Sequence, residues 1–174
     1  MSFLKKFGFT FRQLDKQKFG DLISQDWITL LENAQLIQVK AGQAVVQQGS
    51  SPDGMYIVKS GWLRVERAWE GRQVPLARRG PGELLGEMSA LDDTAAMASV
   101  IAEEDAELYR ISIADLKSML ERSPGFATRY YRSLAIHFSG RLREAAENQA
   151  QADRAASDGP VPPVFVDPSF MVMV

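Results

Sequence analysis

Residues 41–65 read AGQAVVQQGSSPDGMYIVKSGWLRV, and their punctuation decides the fold. Short apolar pieces around Ala44–Val46, Met55–Val58 and Leu63–Val65 are separated by GSSPDG and SG, which are turn sequences rather than helix interiors. The apolar pieces are too short for helices and rich in β-branched residues, so they read as strands. Working outward, the same pattern runs from residue 36 to residue 111. Strands are expected at 36–39, 44–47, 55–59, 62–68, 73–78, 98–101 and 108–111, divided by AGQ, GSSPDG, SG, WEGR and GPGE, with glycines at 42, 49, 54, 61, 71, 80, 82 and 86. Short strands at this spacing imply a closed antiparallel sandwich or jelly roll.

Helical patterns flank the strands. On the N-terminal side Ser24 is placed to cap a helix that carries Trp27, Leu30, Leu31 and Ala34 on one side and ends near Asn33. On the C-terminal side Ser112 and Asp115 make a capping-box-like start for a helix through Glu121, and Pro124 opens the longest helix, taken to residue 150. Its apolar stripe is Tyr131, Leu134, Phe138, Leu142 and Ala145, at the 3 and 4 spacings of a coiled-coil seam. Phe126, Tyr130 and His137 fall on another face. One face can cover the sheets while the other meets a second copy, so a homodimer is expected; a wholly intramolecular helix is the alternative. The fold class is mainly β with flanking α: an antiparallel β jelly roll with N-terminal helices and a long C-terminal helix. The domain is placed at 20–150, after a basic segment 1–19 and before a flexible, proline-containing tail 151–174.

The chain has 174 residues, 45% of them hydrophobic, enough for one well-buried core and too few for two ordinary domains. A net charge of −2 gives no bulk reason to expect nucleic acid. Residues 1–18 are the exception, with Lys5, Lys6, Arg12, Lys16 and Lys18 against Asp15 alone, a local charge of +4. Phe3, Phe7, Phe11 and Leu14 form one helical stripe there, so residues 3–18 would either make a weak membrane or protein contact or pack on the domain behind them. No cysteine is present and His137 is the single histidine, which excludes thiolate zinc sites, cysteine nucleophiles and histidine-based triads. His137 reads as a helix-packing residue, and no metal is expected. Without a membrane-length apolar run or a signal-like N-terminus, the expected location is the cytoplasm.

The residues 41–65, with GPGELLGEMSAL at 80–91, resemble the cyclic-nucleotide-binding domain family of the catabolite activator and kinase regulatory-subunit type. The likeness covers about residues 20–148 and is most specific at Gly42, Gly49, Met55-Tyr56-Ile57-Val58, Gly61 and Gly82-Glu83-Leu84-Leu85-Gly86-Glu87-Met88. The resemblance implies a β jelly roll with flanking helices and a phosphate-binding cassette at 86–100. In such a cassette a short helix after Gly86 turns its amides toward an anion, and Glu87 accepts from a ribose hydroxyl. The family's cassette next supplies an arginine to the cyclic phosphate, and counting from Glu87 to Ser99 and Val100 puts that position at Ala96 and its follower at Met97. Neither is a cation, and no Arg or Lys lies between Arg79 and Arg110. Losing a charge-assisted hydrogen bond and leaving a phosphate unpaired weakens a micromolar ligand to roughly millimolar. Arg78 or Arg79, on the strand entering the cassette, is the candidate substitute cation. Met97 is expected to wall the pocket or fill the cavity.

These residues point to a non-enzymatic regulatory or sensor module. Its candidate ligand contacts are Gly86, Glu87, Met88, Ala96, Met97 and Ser99, its ligand a nucleotide-like small molecule if any, and ordinary cyclic AMP binding is not expected. The rival reading is a ligand-independent dimerisation or docking scaffold. About 25 residues follow Ala150, four of them prolines, which leaves no room for a helix-turn-helix, so no direct DNA binding is expected. No nucleophile–base pair suggests an enzyme.

Overall fold

The computed structural model describes Phe7, residues 20–88, Leu91 and residues 94–157. The expected membrane or packing segment 3–18, apart from Phe7, and residues 158–174 of the expected tail lie outside the described residues. Backbone contacts divide the chain into two units, 1–136 and 137–174.

The first unit holds helix α1 (Ser24–Glu32), eight strands, helix α2 (Ile113–Arg122) and the start of helix α3 (Pro124–Ser157). The strands are β1 (Gln35–Val39), β2 (Ala44–Val46), β3 (Gly54–Ser60), β4 (Leu63–Trp69), β5 (Arg72–Arg79), β6 (Leu84–Leu85), β7 (Ser99–Ala102) and β8 (Ala106–Ser112). They form two four-stranded antiparallel sheets, ordered β1-β8-β3-β6 and β2-β7-β4-β5, the eight-stranded sandwich of a jelly roll. Seven strands match the sequence reading. The eighth, β6, escaped it because two leucines between a glycine turn and the cassette carry no period of their own; they are recruited by Tyr56 and Ile57 of β3 across the sheet.

The core sits between the sheets. Val39, Val46, Tyr56, Val58, Leu63, Leu85, Val100, Ala102 and Leu108 form one buried apolar cluster, supplied by both sheets. Strand β3 is buried without interruption from Gly54 to Val58, because it lies between β8 and β6 with its second face covered as well. That explains why Met55-Tyr56-Ile57-Val58 reads as a continuous apolar run rather than an alternation.

The helix ends are fixed by side chains. Ser112 caps α2 as expected, its Oγ accepting from the Asp115 N–H at 3.0 Å. At α1 the expected cap moves by one residue: Ile23 holds the N-cap position and Ser24 is the first helical residue. The reason is Asp26, whose Oδ2 accepts from the Ile23 N–H at 2.9 Å and so caps the helix from inside its first turn. Asp26 is buried and takes both Arg129 Nε and Nη2, at 2.7 and 2.6 Å, tying α1 to the first turns of α3. Phe7 packs edge-on against Tyr109, whose hydroxyl donates to the Phe7 carbonyl at 2.7 Å. At Phe7, therefore, the aromatic stripe of the N-terminal segment touches the domain.

In α3, Phe126, Tyr130, Ser133 and Leu134 are buried. Leu134 therefore packs inside its own unit rather than standing in an open seam, whereas Tyr131 is 49% exposed. In the second unit Phe138 and Ala145 are half-buried and Leu142 is 51% exposed. The His137 and Phe138 rings lie 5.9 Å apart, and Gln149 donates to Asp153 at 2.9 Å one turn on. The helix continues to Ser157, seven residues beyond the expected 150, because QADRAAS supplies alanines and this i, i+4 pair in spite of its small polar composition. No helix among the described residues is long and apolar enough to cross a membrane.

Candidate functional site

The site begins where β6 runs out. Gly86 has φ +74, and a Cβ there would lie 2.7 Å from the Gly54 carbonyl oxygen, so both the backbone conformation and the space demand glycine. Gly54 is crowded from its other side too: a Cβ on it would meet the Ile111 oxygen at 2.6 Å and the Arg110 Cγ at 3.2 Å. Two chain segments thus converge on one glycine of β3. The turn at Gly86 sends Glu87 inward, where it is 4% exposed. It lies within electrostatic reach of Tyr130 of α3. Burial first, and the Glu87 charge second, push the Tyr130 hydroxyl well above the ordinary tyrosine range, while that hydroxyl lies 3.3 Å from the Met55 sulfur. Met88, next in the chain, is half-buried and accepts from the Leu91 N–H at 2.9 Å. The acidic pair Asp92 and Asp93 lies outside the described residues.

The far end of the cassette has a different environment. Ala96 is 8% exposed and belongs to the core cluster with Tyr56 and Leu85. Its backbone is fastened on both sides: Gly49 donates to the Ala96 carbonyl at 2.8 Å, and the Ala96 N–H donates to the Ser50 carbonyl at 2.8 Å. Met97, expected to line or fill the pocket, instead points outward and is 47% exposed. Burial alternates here through the bend at 97–98 that leads into β7: Ala96, Ala98 and Val100 are buried, and Met97 between them is turned out. Ser99 is half-buried, its Oγ accepting from the Gln48 N–H at 3.0 Å.

The expected substitute cations are already engaged. Arg78 donates from Nε to Glu103 Oε2 at 2.5 Å and stacks on Trp62 with its guanidinium carbon 4.5 Å from the ring centre. Arg79 lies 3.7 Å from Glu83 Oε1 and donates to the Arg78 carbonyl at 3.2 Å. Glu83 itself accepts from the Gly80 N–H at 2.6 Å, shaping the GPGE turn that leads into the cassette.

A second polar cluster was not singled out by sequence reasoning. Asp53 accepts from the Tyr56 hydroxyl, and Arg110 Nη2 lies 2.8 Å from Asp53 Oδ2 and donates to the Asp53 carbonyl at 3.2 Å. The hydrogen bond from Tyr56, followed by Arg110, keeps the Asp53 carboxyl below its ordinary range. Burial and the same bond push the Tyr56 hydroxyl up to about 12. In sequence Asp53 was one letter of a turn and Arg110 one letter of a strand; only the register Tyr56↔Arg110 joins them. Among the described residues no group of His, Cys, Asp and Glu is arranged to hold a metal ion.

A jelly roll whose β6–β7 connection starts at a positive-φ glycine and buries the next carboxylate has the layout of one class, the nucleotide-sensing β-roll domains. The family model described as cyclic nucleotide-binding domain matches residues 36–123, and the chain belongs to that family. The chain is 40% identical over 105 residues to the cyclic AMP receptor protein of Thermus thermophilus, covering 60% of this chain and 47% of that one. The crystal structure of the Thermus thermophilus catabolite activator protein superimposes with TM-score 0.66 at 33% identity, over 79% of this chain and 63% of that chain. A cyclic nucleotide-binding domain from Methylobacillus flagellatus, at 22% identity and TM-score 0.70 over 79% and 78% of the two chains, shares the fold. The chain thus spans about half the length of its receptor-protein relative.

Proposed function

We propose that the protein is a non-enzymatic sensor module that takes a nucleotide-like small molecule at 86–99 and answers through α3. The observation that carries the reading is Glu87: a carboxylate 4% exposed, delivered inward by a glycine whose geometry no other residue reproduces, and within electrostatic reach of Tyr130 of the helix that would transmit the signal. Burying a charge costs several kcal/mol unless polar partners compensate it, so a carboxylate kept at this place brings a polar site with it into the interior. At the far end, Ala96 gives a ligand phosphate no side-chain charge, so cyclic AMP binds weakly and not in the family's usual manner. A ligand preferring one setting of α3 shifts that helix by its difference in affinity for the two settings. Exposed Tyr131 and Leu142 support pairing of α3 with a second copy.

A specific observation favours the rival reading, a scaffold that uses the fold without a ligand: Ala96 is part of the apolar core. Thermal denaturation of the wild type and of Ala96→Arg, each with cyclic AMP, cyclic GMP and cyclic di-GMP up to millimolar concentration, separates the two. For a sensor, Ala96→Arg melts below wild type without ligand and recovers on adding a cyclic mononucleotide. A variant that no nucleotide rescues would favour the scaffold.

A further inference from the structure

We infer that the cation of this ligand site is Arg110, brought to the cassette from β8 through the loop 49–54, with Asp53 occupying it in the absence of ligand. The inference rests on the cassette reading above and names the group that would meet the ligand's anion.

The loop 49–54 touches both ends of the cassette. At one end the Gly54 carbonyl abuts Gly86, and at the other Gly49 and Ser50 hold both backbone groups of Ala96 at 2.8 Å. Arg110 is attached to that same loop. Its Cγ packs where a Gly54 side chain would stand, and its guanidinium reaches Asp53 twice, at the carbonyl and at Oδ2. Arg78 and Arg79, by contrast, lie on β5 of the other sheet and are held by Glu103, in the β7–β8 turn, and Glu83, in the turn after β5. Arg110 also shares a row of sheet residues with the site, since Tyr56 pairs with Arg110 on one side and with Leu85, the residue before Gly86, on the other.

The state of the guanidinium suits exchange. Its Nε is shielded from solvent and has no hydrogen-bond acceptor, so the group has donor capacity that Asp53 does not use. Asp53 itself is 64% exposed at the side chain and can swing into water, whereas Arg110 is 26% exposed and stays. A surface carboxylate holding a less exposed arginine is a weak competitor, and a phosphate monoanion offers the same charge with more acceptor oxygens. On the Asp53 side of this pair a groove is lined by Val46, Gln47, Ser50, Ser51, Asp53 and Tyr56, with apolar and hydroxyl-bearing walls, and movement of Asp53 would open it toward the guanidinium. Asp53 thus acts as a built-in stand-in for the ligand's anion.

The test is calorimetric titration of cyclic AMP and cyclic GMP into wild type, Asp53→Asn, Arg110→Gln and Ala96→Arg, with circular dichroism checking the fold of each. Removing the competitor in Asp53→Asn is expected to tighten binding by about 3- to 10-fold, and Arg110→Gln to weaken it by about 10-fold or more. If Arg110→Gln fails to fold, Arg110→Lys, which keeps charge but loses the fork, is expected to weaken binding several-fold. Unchanged affinity in the Asp53 and Arg110 variants, with tighter binding in Ala96→Arg, overturns the assignment of Arg110 and leaves the cassette reading standing. No binding by any variant, Ala96→Arg included, overturns both.

Discussion

The two ends of the cassette follow opposite rules. At Gly86–Glu87 the backbone turns through a left-handed glycine and a carboxylate is buried within electrostatic reach of Tyr130; at Ala96–Met97 a methyl group packs into the core and the larger side chain faces water. The first end requires glycine and takes a carboxylate inside. The second is what ordinary strand packing produces. The contrast separates a glycine turn that buries a carboxylate from a segment that packs into the core, and it can be broken or sharpened one residue at a time.

The largest effect is expected from Gly86→Ala. The φ of +74 and the 2.7 Å approach to the Gly54 carbonyl penalise a Cβ twice, so urea denaturation is expected to show a loss of about 3 kcal/mol. Next is Ala96→Arg, which puts a long cation into the cluster with Tyr56 and Leu85; the ligand-free loss is expected at about 2 kcal/mol, read from the same denaturation midpoints. A stable ligand-free variant would mean that this end is an open pocket after all and would erase the contrast. Glu87→Gln keeps the shape and removes the charge, with an expected change of about 1.5 kcal/mol accompanied by a shift in the Tyr130 environment visible in tyrosine absorbance. Met97→Ala, at a side chain 47% exposed, is expected to move stability by less than about 0.5 kcal/mol.

The smallest effect concerns acid. The Asp53 carboxyl titrates below its ordinary value in the folded protein, so its contribution is fully present above the unfolded pKa, about 4, and is lost as the pH falls through the folded value. With Asp53 64% exposed the contribution is under about 0.5 kcal/mol, and Asp53→Asn is expected to flatten the acid limb of stability below about pH 4 by no more than that.

Much of the fold was legible because it is written in local chemistry. Turn sequences such as GSSPDG and SG bounded the strands, the run Met55–Val58 announced a strand covered on both faces, and Ser112 with Asp115 marked the start of α2. The cap of α1 was misplaced by one residue because the Asp26 carboxylate, rather than the Ser24 hydroxyl, takes an N–H at the helix start, that of Ile23. In the site, Gly86, Glu87 and the position of Ala96 were singled out by the resemblance of GPGELLGEMSAL to a known family, rather than by composition or period. The outward turn of Met97 was not, since it depends on Ala96, Ala98 and Val100 facing the core.

The sequence by itself determined the jelly-roll class, the family, and the absence of a cation from the cassette's own residues, because each of these depends on residue type and short-range spacing. Only the tertiary structure decided which polar groups meet: that Arg78 is held by Glu103, that Glu87 comes within electrostatic reach of Tyr130, and that Arg110 reaches the loop binding both cassette ends. Those pairings join residues 25 to 57 positions apart where they are bonded. Sheet register and burial set them, and neither is a property of any single stretch of chain.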